Sequence, residues 1–183
     1  MKKKKDIDEK IEVPKEINIR IDKHVIILNY NNKEIEKKLY HPIINIKNEN
    51  NTIIISSEKN SRNEKKLINT YKAHIKNMIH GLIKGYTYKL KICSSHFPMN
   101  VSLDKNKIII KNFFGEKVPR KAKILDDVNV KIDGDIIIVN GIDKEKVGQT
   151  SANMEKATRI TNRDRRVFMD GIYIIDKGEK KIH

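Results

Sequence analysis

The residues best suited to chemistry lie between Lys156 and Arg166, where the arginines of this chain are concentrated. Only seven arginines occur in 183 residues, and four of them fall within Arg159–Arg166. A planar guanidinium can bind two phosphate oxygens at once, and the Thr and Asn side chains of the segment can donate to backbone or 2′-hydroxyl oxygens. The segment therefore predicts a nucleic-acid contact. The alternative is a solvated helix end whose cations lie favourably near its C-terminus.

We expect this surface to recognise double-helical RNA by shape, phosphates and 2′-hydroxyls, because the base edges of such a helix lie in a deep groove. Aromatic residues make up 5% of the chain and none lies inside the basic segment, which argues against a platform for stacking single-stranded bases. Phe113 and Phe114 are expected in the core. The predicted RNA-binding residues are Lys156, Arg159, Asn162, Arg163, Arg165, Arg166 and Lys177, with weaker candidates at Lys117, Arg120 and Lys121.

Catalytic motifs are missing from the sequence. It contains no P-loop, no glycine-rich dinucleotide motif, no nucleophile elbow and no zinc-protease motif. The six histidines lack a ligand spacing, and Asp126-Asp127 and Asp133/Asp135 are expected as solvated turn carboxylates. A single cysteine, Cys93, excludes an internal disulfide and a cysteine-based zinc site. We therefore expect no catalytic residue, no metal and no cofactor.

The charge balance indicates a polyanionic partner. The 39 Lys and Arg residues exceed the 24 Asp and Glu residues, which gives a formal net charge of +15. No apolar run approaches the length of a membrane span or of a secretory signal, so we expect a cytoplasmic protein without a membrane partner. Lys2–Lys5 and the alternating charges behind them predict a flexible basic arm, the alternative being a solvated tail.

Hydrophobic periodicity predicts the elements that must position these residues. Alternating or β-branched runs predict five short strands in the first 57 residues. Ser61 and Glu64 have the spacing of a capping box, and the apolar residues after them recur at helical steps over about twenty residues. Further short strands follow from Tyr86 to Val139, one of them over residues 117–123. A helix capped by Asp143, the basic loop and a last strand over residues 171–175 come after them.

The order of elements repeats at an offset of about 83–84 residues. Val25–Tyr30 matches Ile108–Phe113, and Ile53–Ile55 matches Ile136–Ile138. We interpret the chain as an α+β protein of two tandem homologous domains, each an antiparallel β-sheet packed against one helix. The predicted domains are residues 1–84, with the basic arm, and residues 85–183, which carry the arginine cluster and are expected to be the main RNA-binding domain.

Several segments resemble one known family in order and spacing. These segments are Ile75–Gly81, His96–Pro98, Asn112–Lys117, Val147–Gln149, Asn162–Tyr173 and Lys177-Gly178. Together they resemble the archaeal and eukaryotic branch of the ribosomal large-subunit protein six family, which is called protein nine in the eukaryotic large subunit. The resemblance covers nearly the whole chain, including the duplication.

The resemblance implies a structural component rather than an enzyme. Members of this family have two homologous α+β domains and bind large-subunit ribosomal RNA near the factor-binding centre, close to the sarcin–ricin loop and the base of the stalk. Most of the RNA contact comes from the second domain. Neighbouring ribosomal proteins and nearby translation factors are the other expected partners. The rival classes are a non-ribosomal RNA-processing or RNA-modifying enzyme and a protein-interaction module, the latter requiring an exposed apolar stripe.

Overall fold

The structure is a computed structural model that describes residues 7–49, 51–57, 61–164 and 166–178. The chain forms two compact units, which divide between Lys84 and Gly85. Each unit combines antiparallel sheets with one α-helix, so the α+β class predicted from the sequence is confirmed. No helix in these residue ranges is long and apolar enough to cross a membrane.

The first unit contains two three-stranded antiparallel sheets and helix α1. One sheet has the order β2-β3-β4 and the other has the order β1-β6-β5. Alternate strand residues such as Ile26, Leu28, Ile53 and Ile55 are buried, as period-two patterning requires. The elements are β1 (Ile7–Glu12), β2 (Asn18–Asp22), β3 (Val25–Tyr30), β4 (Lys33–Lys38), β5 (Ile44–Glu49), β6 (Thr52–Ser57) and α1 (Arg62–Ile83).

Helix α1 begins at the predicted cap. The Ser61 hydroxyl accepts a hydrogen bond from the Asn63 N–H at 3.3 Å and also contacts the Glu64 carboxylate. In a capping box the Ser hydroxyl accepts from the N–H three residues on and the Glu side chain reaches back to the backbone N–H of the Ser, so this cap uses the same side chains in a different pairing. The apolar face is buried as expected, with Ile68, Ile75 and Leu82 at its centre.

The second unit repeats this arrangement and adds a strand. Its sheets have the orders β10-β9-β8 and β11-β12-β7-β13. A 3-10 turn over Phe113–Gly115 joins β9 to the segment before β10. The elements are β7 (Tyr86–Cys93), β8 (Asn100–Asp104), β9 (Lys107–Lys111), β10 (Arg120–Lys123), β11 (Val128–Asp133), β12 (Ile136–Gly141), α2 (Lys144–Ala157) and β13 (Gly171–Asp176).

The two units share strand order and direction. The sheet β2-β3-β4 corresponds to β8-β9-β10, the sheet β1-β6-β5 corresponds to β7-β12-β11, and every pairing is antiparallel. Only β13, which pairs with β7, has no counterpart among the described strands of the first unit. The duplication inferred from the sequence thus describes the fold.

Two elements differ from the sequence-based expectation. The alternating charges at residues 7–12, expected as part of a flexible arm, form β1, because Ile11 is buried while its charged neighbours point outward on an edge strand. The rest of that arm, Lys2–Lys5, lies outside the described residues. The strand expected over residues 117–123 begins only at Arg120.

Candidate nucleic-acid interface

The predicted basic segment forms the end of α2 and the loop that connects it to β13. The loop begins at Thr158, whose side chain is buried at the C-terminus of α2. The Thr158 hydroxyl accepts a hydrogen bond from the Ile172 N–H at 2.9 Å, across 14 residues of chain. Since Ile172 is fully buried in the core of the second unit, this bond fixes the two ends of the loop relative to each other.

Asp170 fixes the loop at its other end. The residue is only 3% exposed. Its carboxylate accepts hydrogen bonds from the Ser95 N–H, from the His96 N–H at 3.3 Å, and from His96 Nδ1 at 2.7 Å. Burial raises the pKa of Asp170, but the hydrogen bonds from Ser95 and His96 outweigh it, so the pKa lies below its ordinary value. The ionised carboxylate is therefore the form that joins the loop to the end of β7.

An aromatic cluster supports the middle of the loop. The Phe168 ring stacks on His96 with centroids 4.9 Å apart and meets Phe114 edge-on at 5.9 Å. The guanidinium carbon of Arg163 lies 5.0 Å from the centroid of Phe114 and 5.0 Å from that of Phe168. Stacking on rings is a cation–π contact that restricts the side chain while its N–H groups stay at the edge of the guanidinium plane.

Asp164 organises the turn that follows Arg163. Its backbone carbonyl accepts from the N–H groups of Val167 and Phe168, and its carboxylate accepts from the backbone and guanidinium of Arg166, with Nη2 at 2.8 Å. This hydrogen bonding lowers the pKa of Asp164. The Arg166 side chain is nevertheless 89% exposed, so its charge remains accessible from solvent.

Arg120, a weaker candidate, makes its contacts within the protein. Its Nε donates to Glu116 at 2.7 Å, its Nη1 donates to the Ala157 carbonyl at 2.9 Å, and its guanidinium lies 4.2 Å from the Phe113 centroid. The side-chain hydrogen bond from Arg120 also lowers the pKa of Glu116. Arg120 therefore binds a carbonyl at the C-terminus of α2 and positions the start of the loop.

The other predicted residues are exposed but differ in placement. Lys156 and Arg159 line one small cavity of about 220 Å³ at the end of α2, together with Tyr173. Asn162 has a left-handed backbone with φ of 60°, a conformation that Asn tolerates well, so it turns the chain ahead of Arg163. The remaining exposed positions are Lys177 after β13, Lys117 before β10 and Lys121 on β10. Arg165 lies outside the described residues.

Sequence reasoning missed His96, Phe168 and Asp170, which hold the loop. None of them lies in the basic segment, and the contact between His96 and Asp170 spans 74 residues. Phe113 is buried as expected, whereas Phe114 is half-buried and contacts Arg163. Among the described residues, no group of three or more His, Cys, Asp or Glu is placed to hold a metal ion.

These features define a two-unit α+β protein whose second unit presents cations on a loop that is fixed at both ends. Residues 97–171, which include the whole of that loop, match the family described as Ribosomal protein L6. The chain is 42% identical to the large ribosomal subunit protein uL6 of Methanococcus vannielii, over 95% of this chain and 96% of the relative. It is 46% identical to the protein of the same name from Desulfurococcus amylolyticus, over 94% and 96% of the two chains.

The chain therefore belongs to the ribosomal protein L6 family. Members of this family are structural components of the ribosome and not enzymes. The resemblance found in the sequence is confirmed, and the two tandem α+β units agree with it.

Proposed function

We propose that this chain binds large-subunit ribosomal RNA near the factor-binding centre, close to the sarcin–ricin loop and the base of the stalk. The second unit makes the main contact. The observation that carries the proposal is the exposed pair Arg163 and Arg166 on a loop fixed by Thr158 and Asp170. Neighbouring ribosomal proteins and translation factors lie nearby in this assignment, and the protein works in the cytoplasm.

The loop geometry suits recognition of a phosphate backbone. Arg163 is restricted by two rings, so it loses less conformational entropy on binding than a lysine on a mobile segment would. The Arg166 guanidinium donates hydrogen bonds to the Asp164 carboxylate, and its remaining N–H groups are exposed to solvent. Shape and phosphate recognition by such fixed cations matches the way proteins bind double-helical RNA.

The predicted residues then divide into three roles. Arg159, Arg163 and Arg166 contact phosphates directly, with Lys156, Asn162 and Lys177 beside them. Arg120 is a positioning residue, because its guanidinium already binds Glu116 and the Ala157 carbonyl. Lys117 and Lys121 are exposed cations at the periphery that add diffuse attraction.

The test compares two double variants with the same change in charge. Arg163→Ala with Arg166→Ala alters the loop, whereas Arg20→Ala with Arg62→Ala removes two exposed arginines from the first unit. We expect the loop variant to bind an RNA fragment that contains the sarcin–ricin loop at least tenfold more weakly than wild type. Hydrogen bonds to charged groups contribute roughly 1.5–3 kcal/mol each, and about 1.4 kcal/mol corresponds to tenfold. The control should retain binding within about twofold, since its cations act only through screened attraction.

Incorporation into particles separates the proposal from its rivals. Wild-type protein should sediment with large subunits, and the loop variant should be depleted from them. A loop variant that binds the RNA and incorporates as well as wild type would refute the assignment of the binding surface. Wild-type protein that stays outside large subunits would refute the proposed contact with large-subunit RNA.

A further inference from the structure

The internal repeat leaves one sheet edge of the first unit without a neighbour among the described strands. In the second unit, β7 pairs with β12 on one side and with β13 on the other. In the first unit, the corresponding strand β1 pairs with β6 and forms the edge of a three-stranded sheet. The second unit therefore shows what a strand of this fold can bind at this position.

The position of β13 explains how the added strand is held. It runs antiparallel to β7, and the Ile172 N–H donates to Thr158 at the C-terminus of α2. Ile172 is fully buried and Ile174 packs against the same core, whereas Tyr173 between them is partly exposed. The strand thus fills the space between the edge of β7 and the end of the helix with alternate apolar side chains.

The first unit has a groove at the corresponding place. A cavity of about 640 Å³ lies between β1 and the last turns of α1. Two isoleucines of α1 supply much of its apolar lining. Ile79 is half-buried, and Ile83, at the end of the helix, is 46% exposed. In the second unit, Ile172 and its neighbours occupy the edge of β7, whereas here an exposed isoleucine lies beside a strand edge that has no described neighbour.

The charges around the groove indicate the chemistry of its occupant. Lys10, Lys72 and Lys76 line it, against one acidic residue, Glu12. Lys72 is paired with Glu9 at 2.6 Å, while Lys10 and Lys76 are exposed and form no ion pair with another described residue. A segment with acidic side chains would complement these two lysines. The charged residues of β1 also disfavour indiscriminate pairing between copies of this edge.

We propose that the edge of β1 and the groove beside it bind an extended strand of another protein. The strand runs antiparallel to β1, places apolar side chains at alternate positions against Ile79 and Ile83, and carries acidic residues near Lys10 and Lys76. Main-chain hydrogen bonds supply affinity and the pockets for alternate side chains supply specificity, as in other cases of strand addition. The site lies in the first unit and does not depend on the proposed RNA contact.

The probe is a labelled peptide with the sequence of residues 170–176, Asp-Gly-Ile-Tyr-Ile-Ile-Asp, which has the required alternation and two acids. Its binding to the full chain is measured by fluorescence anisotropy without RNA. Ile83→Glu should weaken binding at least tenfold, because it places a carboxylate in the apolar groove. Val118→Glu, at a residue that is 78% exposed in the second unit, is the matched control and should leave binding unchanged. Lys10→Glu with Lys76→Glu should also weaken binding at least tenfold.

Hydrogen exchange distinguishes strand addition from other binding. Peptide binding should slow amide exchange in residues 7–12, and unchanged exchange there would overturn the proposal. The proposal would also be overturned if the peptide did not bind at millimolar concentration. The same holds if Ile83→Glu and Val118→Glu lowered the peptide affinity equally. A dimer of the full chain that Ile83→Glu dissociates would make a second copy the occupant. Displacement of the peptide by RNA would make the groove a nucleic-acid surface, and either result refutes the proposal.

Discussion

Replacing Asp170 by alanine should loosen the loop from the body of the second unit. The carboxylate is buried and accepts from the Ser95 N–H and from both the backbone and the ring of His96. Hydrogen bonds to charged groups contribute roughly 1.5–3 kcal/mol each, and truncation leaves their donors without an acceptor. Because His96 is partly exposed and water can replace part of this loss, we expect the free energy of unfolding to fall by about 3 kcal/mol.

Thermal unfolding of the full chain measures this loss. A change of about 3 kcal/mol corresponds to a fall in melting temperature of roughly 6–12 °C for a protein of this size. At a temperature where the variant is still folded, its affinity for the RNA fragment should fall about tenfold, because the loop must be ordered on binding. Asp104→Ala, which removes an exposed carboxylate from the same unit, is the control. An Asp170→Ala protein with wild-type melting and wild-type RNA affinity would refute the role given to Asp170.

The same contact predicts a pH dependence. The pKa of Asp170 is lowered in the folded protein, so its stabilising contribution is present above the pKa of the unfolded chain and is lost as pH falls through the lower folded value. Asp170→Asn keeps an oxygen acceptor but does not titrate. The advantage of wild type over this variant should therefore shrink below about pH 4, as measured by denaturant unfolding at pH 7 and pH 3. A constant difference between the two pH values would contradict the assignment.

Two further predictions test the packing around α2 and the charge of the loop. Gly141→Ala should destabilise the second unit by about 1–3 kcal/mol, because the added Cβ would lie 2.7 Å from Val147 Cγ2. Gly148→Ala should stabilise α2 by up to about 1 kcal/mol, because the nearest atom to its Cβ would be 3.9 Å away and Ala favours a helix. Denaturant unfolding measures both free energies. The slope of log affinity against log salt should become shallower by about 1.4–1.8 in the Arg163→Ala, Arg166→Ala variant, and an unchanged slope would mean that neither arginine contacts phosphate.

Periodicity predicted most of the fold because local signals and tertiary packing agree. The five strands expected in the first 57 residues, the helix after Ser61 and the helix capped by Asp143 are all present. The constant offset of the repeat also predicted that the two units would have the same strand order. Strand β1 was missed because only one residue in two needs to be apolar on an edge strand, and the charges of residues 8–10 hid the alternation.

The candidate interface was only partly predictable. Arginine placement identified a loop that the structure fixes at both ends, but the contacts that fix it connect distant parts of the chain. Glu116, four residues before Arg120, is a local partner of its guanidinium, but no local feature shows that Arg120 also binds the end of α2. Nor can the sequence place Phe114 against Arg163, which lies 49 residues further along the chain. Such contacts depend on three-dimensional packing between segments that are far apart in sequence.

The pairing of β13 with β7 has a consequence for the timing of synthesis. Ser95 and Asp170, at the ends of these paired segments, are separated by 75 residues, so the contact forms only after the intervening sheets and α2 have been made. During translation, the first unit can fold while the second still lacks the strand that borders its basic loop. The cations of the loop thus reach their final positions only after the strands and the helix that precede them have been synthesised.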